Sequence, residues 1–502
     1  MKSQGRFSPI PVREEHQEKS LREKLLALVH SEPLLNCVVV AAITVGFFHG
    51  WLKLRFPHPF TTFLFDFILL VALALVYFKL PPGTPLFPKT KVARALFIFY
   101  GVNVAYLLYS FSSSPLPALA ALRAWCFATW MYLLGYHMTR RVAQVKSYFY
   151  VLIVLGVITG IYGIRQSPAE IEKRTLEDES FAARYKFTHF ATTEGKTQLR
   201  VFSTFISAGA FGSVMAYVSL FTLILLSERR VRLPERLLLI ASLIPIGYGM
   251  VLSGTRSALM LLVPTFPIIA WYRRRFQTWV VIPIVAYVAM KFAFTSSGGA
   301  FVERFKTLLD PETVSDRMLI PTIIGWNSLV ESPFGRGLGS SGHGVPFFLL
   351  RRLNTSEMVN ADGDLGTLMI EMGIVGVLAF GNVIWQSIKT LYANLSLLRR
   401  TNIASIGLAC SSMMVMAIVS FPIGSPFLGI PMGALTWFFL GTLQKLTEEY
   451  QRGTFDEPAV PEPAAPPQKQ FLFSHPKKSA TPSLPRPSRP SRPSRPSTRS
   501  PV

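Results

Sequence analysis

FTTFLFDFILLVALALVYFK, residues 60–79, is apolar over the length of a lipid-spanning helix and carries one internal charge, Asp66. About twenty residues at 1.5 Å each cover the roughly 30 Å hydrocarbon core of a bilayer. A helix apolar on every face belongs in lipid or deep in a large core. The pattern recurs near 34–54, 93–111, 117–137, 147–164, 203–227, 235–253, 256–272, 277–295, 365–388, 403–421 and 425–445. The expected fold class is therefore all-α: a polytopic membrane helical bundle of about twelve transmembrane helices.

Composition agrees. Half of the 502 residues are hydrophobic and only 16% are charged, well below the share typical of soluble domains. The three cysteines, Cys37, Cys126 and Cys410, lie in apolar segments and show no zinc or disulfide spacing. A net charge of +23 does not imply a nucleic-acid partner, because the basic residues gather in short connections between apolar runs. Residues 1–30 are polar and mixed in charge, so no cleavable leader is expected there.

Those basic connections set the orientation. Lys89, Lys91 and Arg94 form one group, Arg140, Arg141 and Lys146 a second, and Arg229, Arg230, Arg232 and Arg236 a third. Arg273, Arg274 and Arg275 follow, and then Lys389, Arg399 and Arg400. The alternate connections SSSPLP at 112–117 and FPIGSP at 421–426 carry no charge. The positive-inside rule makes the basic set cytoplasmic, and an even helix count places both termini there. Residues 1–33 then form a cytoplasmic segment and 34–452 a membrane domain. From 453 to 502 a Pro/Ser/Arg-rich tail, with RPSRPSRPSRPS from Arg486, is expected to be disordered and to favour anionic lipid.

Two long loops, 165–202 and 296–364, fall on the outer side, and chemistry is expected on that face. Residues 316–332 can form a surface helix. Arg256, in SGTRS between two apolar runs, is costly without an anionic partner. It reads either as a snorkelling side chain or as a fixed cation for phosphate. Arg200, in QLRVFSTF, and Arg317, in SDR, bring two more cations to the same face, enough for a pyrophosphate without a metal. Asp66 and Arg123 lie at similar depth and are expected to form a structural ion pair.

Gly335, Gly337 and Gly339 in FGRGLGSSG lack the strand–helix frame of a nucleotide loop and read as a tight turn presenting backbone amides at the membrane surface. His343 and His189 are candidate general bases, each also readable as an ordinary loop histidine. Asp362 and Asp364 precede the tenth apolar run, where acids also complement a helix dipole.

LRVFSTFISAGAFG (199–212), VLSGTRSALMLL (251–262), RMLIPTIIGWNSLVESPFGRGLG (317–339) and DGDLGTLMIEMGIVGVLAF (362–380) resemble, in order and spacing, the bacterial O-antigen ligase and O-antigen polymerase superfamily. The resemblance implies a helical glycosyltransferase-like (GT-C-like) fold in the bacterial inner membrane. It also implies a glycan donor linked through pyrophosphate to undecaprenol, and no metal or other cofactor.

By the same resemblance Arg256, Arg200 and Arg317 match the family's arginines and would bind the pyrophosphate. Ligases carry a His-Asn pair ahead of the E-x-G-x-x-G helix, here Glu371, Gly373 and Gly376, whereas this chain has Asp362 and Gly363. That departure favours a polymerase of exopolysaccharide or O-antigen repeats, with Asp362 or Asp364 as base and His343 as a displaced substitute. The expected partners are the lipid-linked glycan, membrane lipids and other glycan-export or chain-length proteins. The alternatives are an O-antigen ligase, a transporter or flippase for a lipid-linked solute, and an inactive envelope scaffold.

Overall fold

The computed structural model describes residues 32–56, 58–167, 169, 189–191, 197–228, 231–262, 265–273, 291, 315, 319–343, 345, 363–399, 401 and 403–453. All belong to the first of two compact units, Met1–Glu457. The regular elements among the described residues are helices apart from one short hairpin.

Seven long helices come first: α1 (Glu32–Arg55), α2 (Pro59–Lys79), α3 (Lys91–Phe111), α4 (Pro115–Met138), α5 (Val142–Arg165), α6 (Ala208–Leu226) and α7 (Leu233–Leu252). Between α5 and α6, strands β1 (His189–Ala191) and β2 (Thr197–Leu199) pair antiparallel, His189 opposite Leu199. Then follow α8 (Arg256–Leu262), α9 (Thr265–Arg273), α10 (Ile320–Glu331), α11 (Asp364–Leu398), α12 (Ala404–Ser420) and α13 (Met432–Gln451).

Eight helices, α1 to α7 and α11, are long and apolar enough to cross a membrane, so the chain reads as a multi-pass membrane protein. α6 is the central one, with 78% of its apolar window buried, whereas α2, α3 and α7 have 33% buried. The outer faces of α2 and α7 expose Phe67, Tyr77, Phe78, Leu237, Leu238 and Ile244, side chains suited to lipid rather than water.

The expected elements shift where polar residues interrupt the apolar runs. The run at 203–227 becomes helical only at Ala208, because Ser203 adopts a positive φ of 53° and Ser207 caps the helix by accepting from Ala210 N at 3.1 Å. The run at 425–445 begins as α13 at Met432, after a stretch of turns. The run at 256–272 is split into α8 and α9, and α10 covers Ile320–Glu331 of the helix expected within 316–332. The run at 277–295 lies outside the described residues except Lys291, as does the tail beyond Gly453.

Two features position the site. α4 and α13 cross backbone to backbone: a Cβ on Gly135 would stand 1.9 Å from the Phe438 carbonyl oxygen, and one on Gly441 would stand 2.1 Å from that of Tyr132. Small residues at a crossing let membrane helices approach closely. Second, α11 is broken at Gly373 (φ 57°, ψ −148°). The 333–341 loop pairs the groups that the break frees: Arg336 N donates to Ile370 O (2.8 Å) and Gly337 N to Glu371 O (3.0 Å), while the helix amide of Ile374 donates to Pro333 O (2.9 Å).

That conformation is reserved for glycine, and a Cβ at Gly373 would lie 2.2 Å from the Pro333 oxygen. Gly373→Ala should therefore cost more than about 3 kcal/mol, read as a lowered unfolding temperature of the solubilised protein. Gly381→Ala, on the same helix with nothing within 4 Å of the added methyl, should leave that temperature unchanged or raise it slightly. Equal effects at the two positions would rule out strain as the cause.

Candidate functional site

The head of α11 is built around Asp364. Its backbone N–H donates to Gly424 O (3.0 Å), and the next amide, of Leu365, donates to Phe421 O (3.3 Å), which ties the helix start to the turn between α12 and α13. The side chain is fully buried, and Oδ2 accepts from the amides of Phe427 (2.8 Å) and Leu428 (3.3 Å). Asp364 thus caps a neighbouring turn besides opening its own helix, which goes beyond the dipole explanation. Its other oxygen, Oδ1, stands 3.9 Å from His343 Nε2.

His343 arrives from the glycine-rich loop. Its Nε2 is 3.0 Å from Ser425 Oγ, and its side chain is 27% exposed against 0% for Asp364. A reachable imidazole whose Nε2 meets a hydroxyl and stands 3.9 Å from a buried acid has the parts of a general base: a site to take a proton and an acidic group beside it. His343 and Asp364, both candidates from sequence, are brought together. Ser425 was not a candidate; it sits in the uncharged FPIGSP turn, which gave no signal.

The glycine-rich loop departs from its expectation. The amides of Arg336 and Gly337 do not face a ligand but are spent on the carbonyls of the broken helix. The positive φ values of Gly335 (78°), Gly337 (99°) and Gly339 (84°) let the loop lie flat against α11 and the start of α4.

A second group of candidate residues gathers at the SGTRS turn between α7 and α8. Arg200 donates from Nε to the Ser253 carbonyl (3.0 Å) and from Nη2 to Thr255 Oγ1 (3.0 Å). Thr255 Oγ1 donates onward to Ala208 O (3.0 Å), so one arginine ties the turn to the head of α6. Arg256 follows directly as the first residue of α8 and is half-buried. Two of the three candidate cations therefore meet at one turn.

Arg317 and Asp362 lie outside the described residues, and of His189 only the backbone, in β1, is described. Arg123 Nε donates to Asp66 Oδ2 at 2.5 Å and Arg123 Nη2 to Thr62 O at 3.3 Å, with the guanidinium carbon 5.0 Å from the Phe63 ring centre. This pair joins α4 to α2, and a paired, part-buried charge is what an apolar bundle tolerates. Among the described residues no three His, Cys, Asp or Glu side chains form a metal-holding group. No family model matches the chain, and no curated protein matches it.

Proposed function

We propose that this protein is a membrane glycan-assembly enzyme that moves an oligosaccharide from undecaprenyl pyrophosphate to an acceptor hydroxyl on the outer face of a bacterial inner membrane. The observation that carries the reading is the His343–Ser425–Asp364 group at the head of α11. The arginine-bearing turn at 253–256 supports it.

In the proposed reaction His343 takes the proton of the acceptor hydroxyl. The acceptor oxygen bonds to the anomeric carbon, and the bond from that carbon to the pyrophosphate oxygen breaks. The proton rests on the imidazole, opposite the Asp364 carboxylate. The negative charge gathers on the departing lipid pyrophosphate, where Arg256 meets it with a planar pair of N–H donors.

Polymerisation of exopolysaccharide or O-antigen repeats is the primary reading, because Asp362 and Gly363 stand where ligases of this type carry His-Asn. The nearness of His343 to Asp364 favours a second reading, an O-antigen ligase with its histidine displaced along the chain. Product analysis of a deletion strain tests both. Loss of polymer with single lipid-linked repeats supports the polymerase, and long lipid-linked chains left untransferred support the ligase. An unchanged glycan profile would overturn both and return the transporter reading.

The proposed bundle has about twelve spans, a GT-C-like arrangement and both termini in the cytoplasm. Reporter fusions after Arg275 and Arg400 should then report cytoplasm, and fusions at Gly195 and Ser340 the outer side. A cytoplasmic signal at Ser340 would place His343 on the wrong face and end the proposal.

A further inference from the structure

The reaction above makes no use of Glu371, although this acid is fully buried within α11 and stands two residues before its break. We infer that Glu371 is a positioning residue: its carboxylate latches the 333–343 loop into the broken helix and so sets where His343 stands. The inference rests on the reading of His343 as the base.

Three donors converge on the carboxylate. Oε1 accepts from Ser341 Oγ (2.6 Å) and Gly339 N (3.2 Å), and Oε2 accepts from Trp125 Nε1 (2.9 Å). Ser341 Oγ also accepts from His343 N at 3.0 Å. One hydroxyl therefore joins the carboxylate to the backbone of the candidate base. The anchor is stiff, because Trp125 is held edge-on by Phe99 and Phe380, with ring centres 5.9 and 5.6 Å away. The backbone of the same segment is locked as well, through the carbonyls of Ile370 and Glu371.

The chemistry of the cradle makes a sharp test possible. A carboxylate offers acceptors on both oxygens, whereas an amide of the same shape offers one acceptor and two donors. In Glu371→Gln the oxygen can stay on the Ser341 and Gly339 side only if the amide nitrogen faces the indole N–H of Trp125, donor against donor. Trp125→Phe removes that indole N–H and keeps an aromatic ring beside Phe99 and Phe380. It should therefore suppress Glu371→Gln, an outcome that simple loss of packing would not produce.

The measurement is the maleimide labelling rate of Ser340→Cys in the full-length, detergent-solubilised protein, with Cys37, Cys126 and Cys410 replaced by Ala. Glu371→Gln should speed labelling about tenfold, because opposed buried donors raise the open population of the loop. Adding Trp125→Phe should return most of that change, and glycan transfer in cells should fall and recover in parallel. Should Glu371→Gln not reach the membrane, Ser341→Ala, which removes a single hydroxyl, should speed labelling in the same direction by a smaller factor.

Unchanged labelling in Glu371→Gln or in Ser341→Ala overturns the latch. Faster labelling with undiminished transfer overturns its positioning role. Faster labelling and suppression by Trp125→Phe, in a protein whose deletion leaves the glycan profile unchanged, keep the latch and discard the reaction.

Discussion

His343→Ala should lower glycan transfer about a hundredfold or more at normal protein level, the scale of a lost general base. The side chain is 27% exposed, so the truncation should leave the bundle folded. Asp364→Asn should follow it in severity. The amide can still accept from Phe427 N, but it no longer brings a negative charge to within 3.9 Å of the imidazole. Ser425→Ala should cost less than either, since the hydroxyl bonds the imidazole but takes no proton in the proposed reaction. The competing base is Asp362, two residues before Asp364 in the chain. Asp362→Asn should therefore retain most activity. If Asp362→Asn were the dead variant and His343→Ala the active one, the carboxylate would be the base and the histidine a structural partner of the turn. Transfer is measured as lipid-linked glycan accumulated and polymer lost in the deletion strain carrying each variant.

The membrane bundle was legible in sequence because its driving signal is local. Twenty apolar residues in a row identify a span wherever they occur, which is why 60–79 and α2 agree to within one residue at each end. The misplaced ends have local chemistry too, but of a kind that hydropathy does not weigh. Thr204 and Ser207 sit within an apolar run, yet their hydroxyls bond the Phe47 carbonyl and the α6 cap, so the chain there is not helical.

The candidate site was legible only in its members. His343 and Asp364 were candidates by residue type and side of the membrane, but nothing in their spacing says that a loop folds back to bring them together. Ser425 carried no signal at all. Glu371 did carry one, an acid inside an apolar stretch that must find donors. It served as a landmark in a motif, and its partners Trp125 and Ser341 come from other segments of the chain. The glycines of FGRGLG were read for their amides, whereas their conformational freedom is what the fold uses.

Arg256→Ala should abolish transfer, and Arg256→Lys should restore little of it. The two variants separate charge from shape: lysine keeps the cation but replaces a planar fork, able to hold two phosphate oxygens at once, with a single point of contact. Arg200 provides the contrast. Its guanidinium is committed to Ser253 O and Thr255 Oγ1, which hold the turn that presents Arg256. Arg200→Ala should therefore lower transfer and also lower the unfolding temperature of the solubilised protein. Because Arg256 opens a short helix at the edge of an apolar bundle, the competing explanation is a side chain that merely snorkels to water. A snorkelling role makes a different prediction: Arg256→Lys fully active, and Arg256→Ala active wherever it inserts normally. A normally inserted, fully active Arg256→Ala would remove the pyrophosphate site from this turn and leave His343 without a cation to pair with in the reaction.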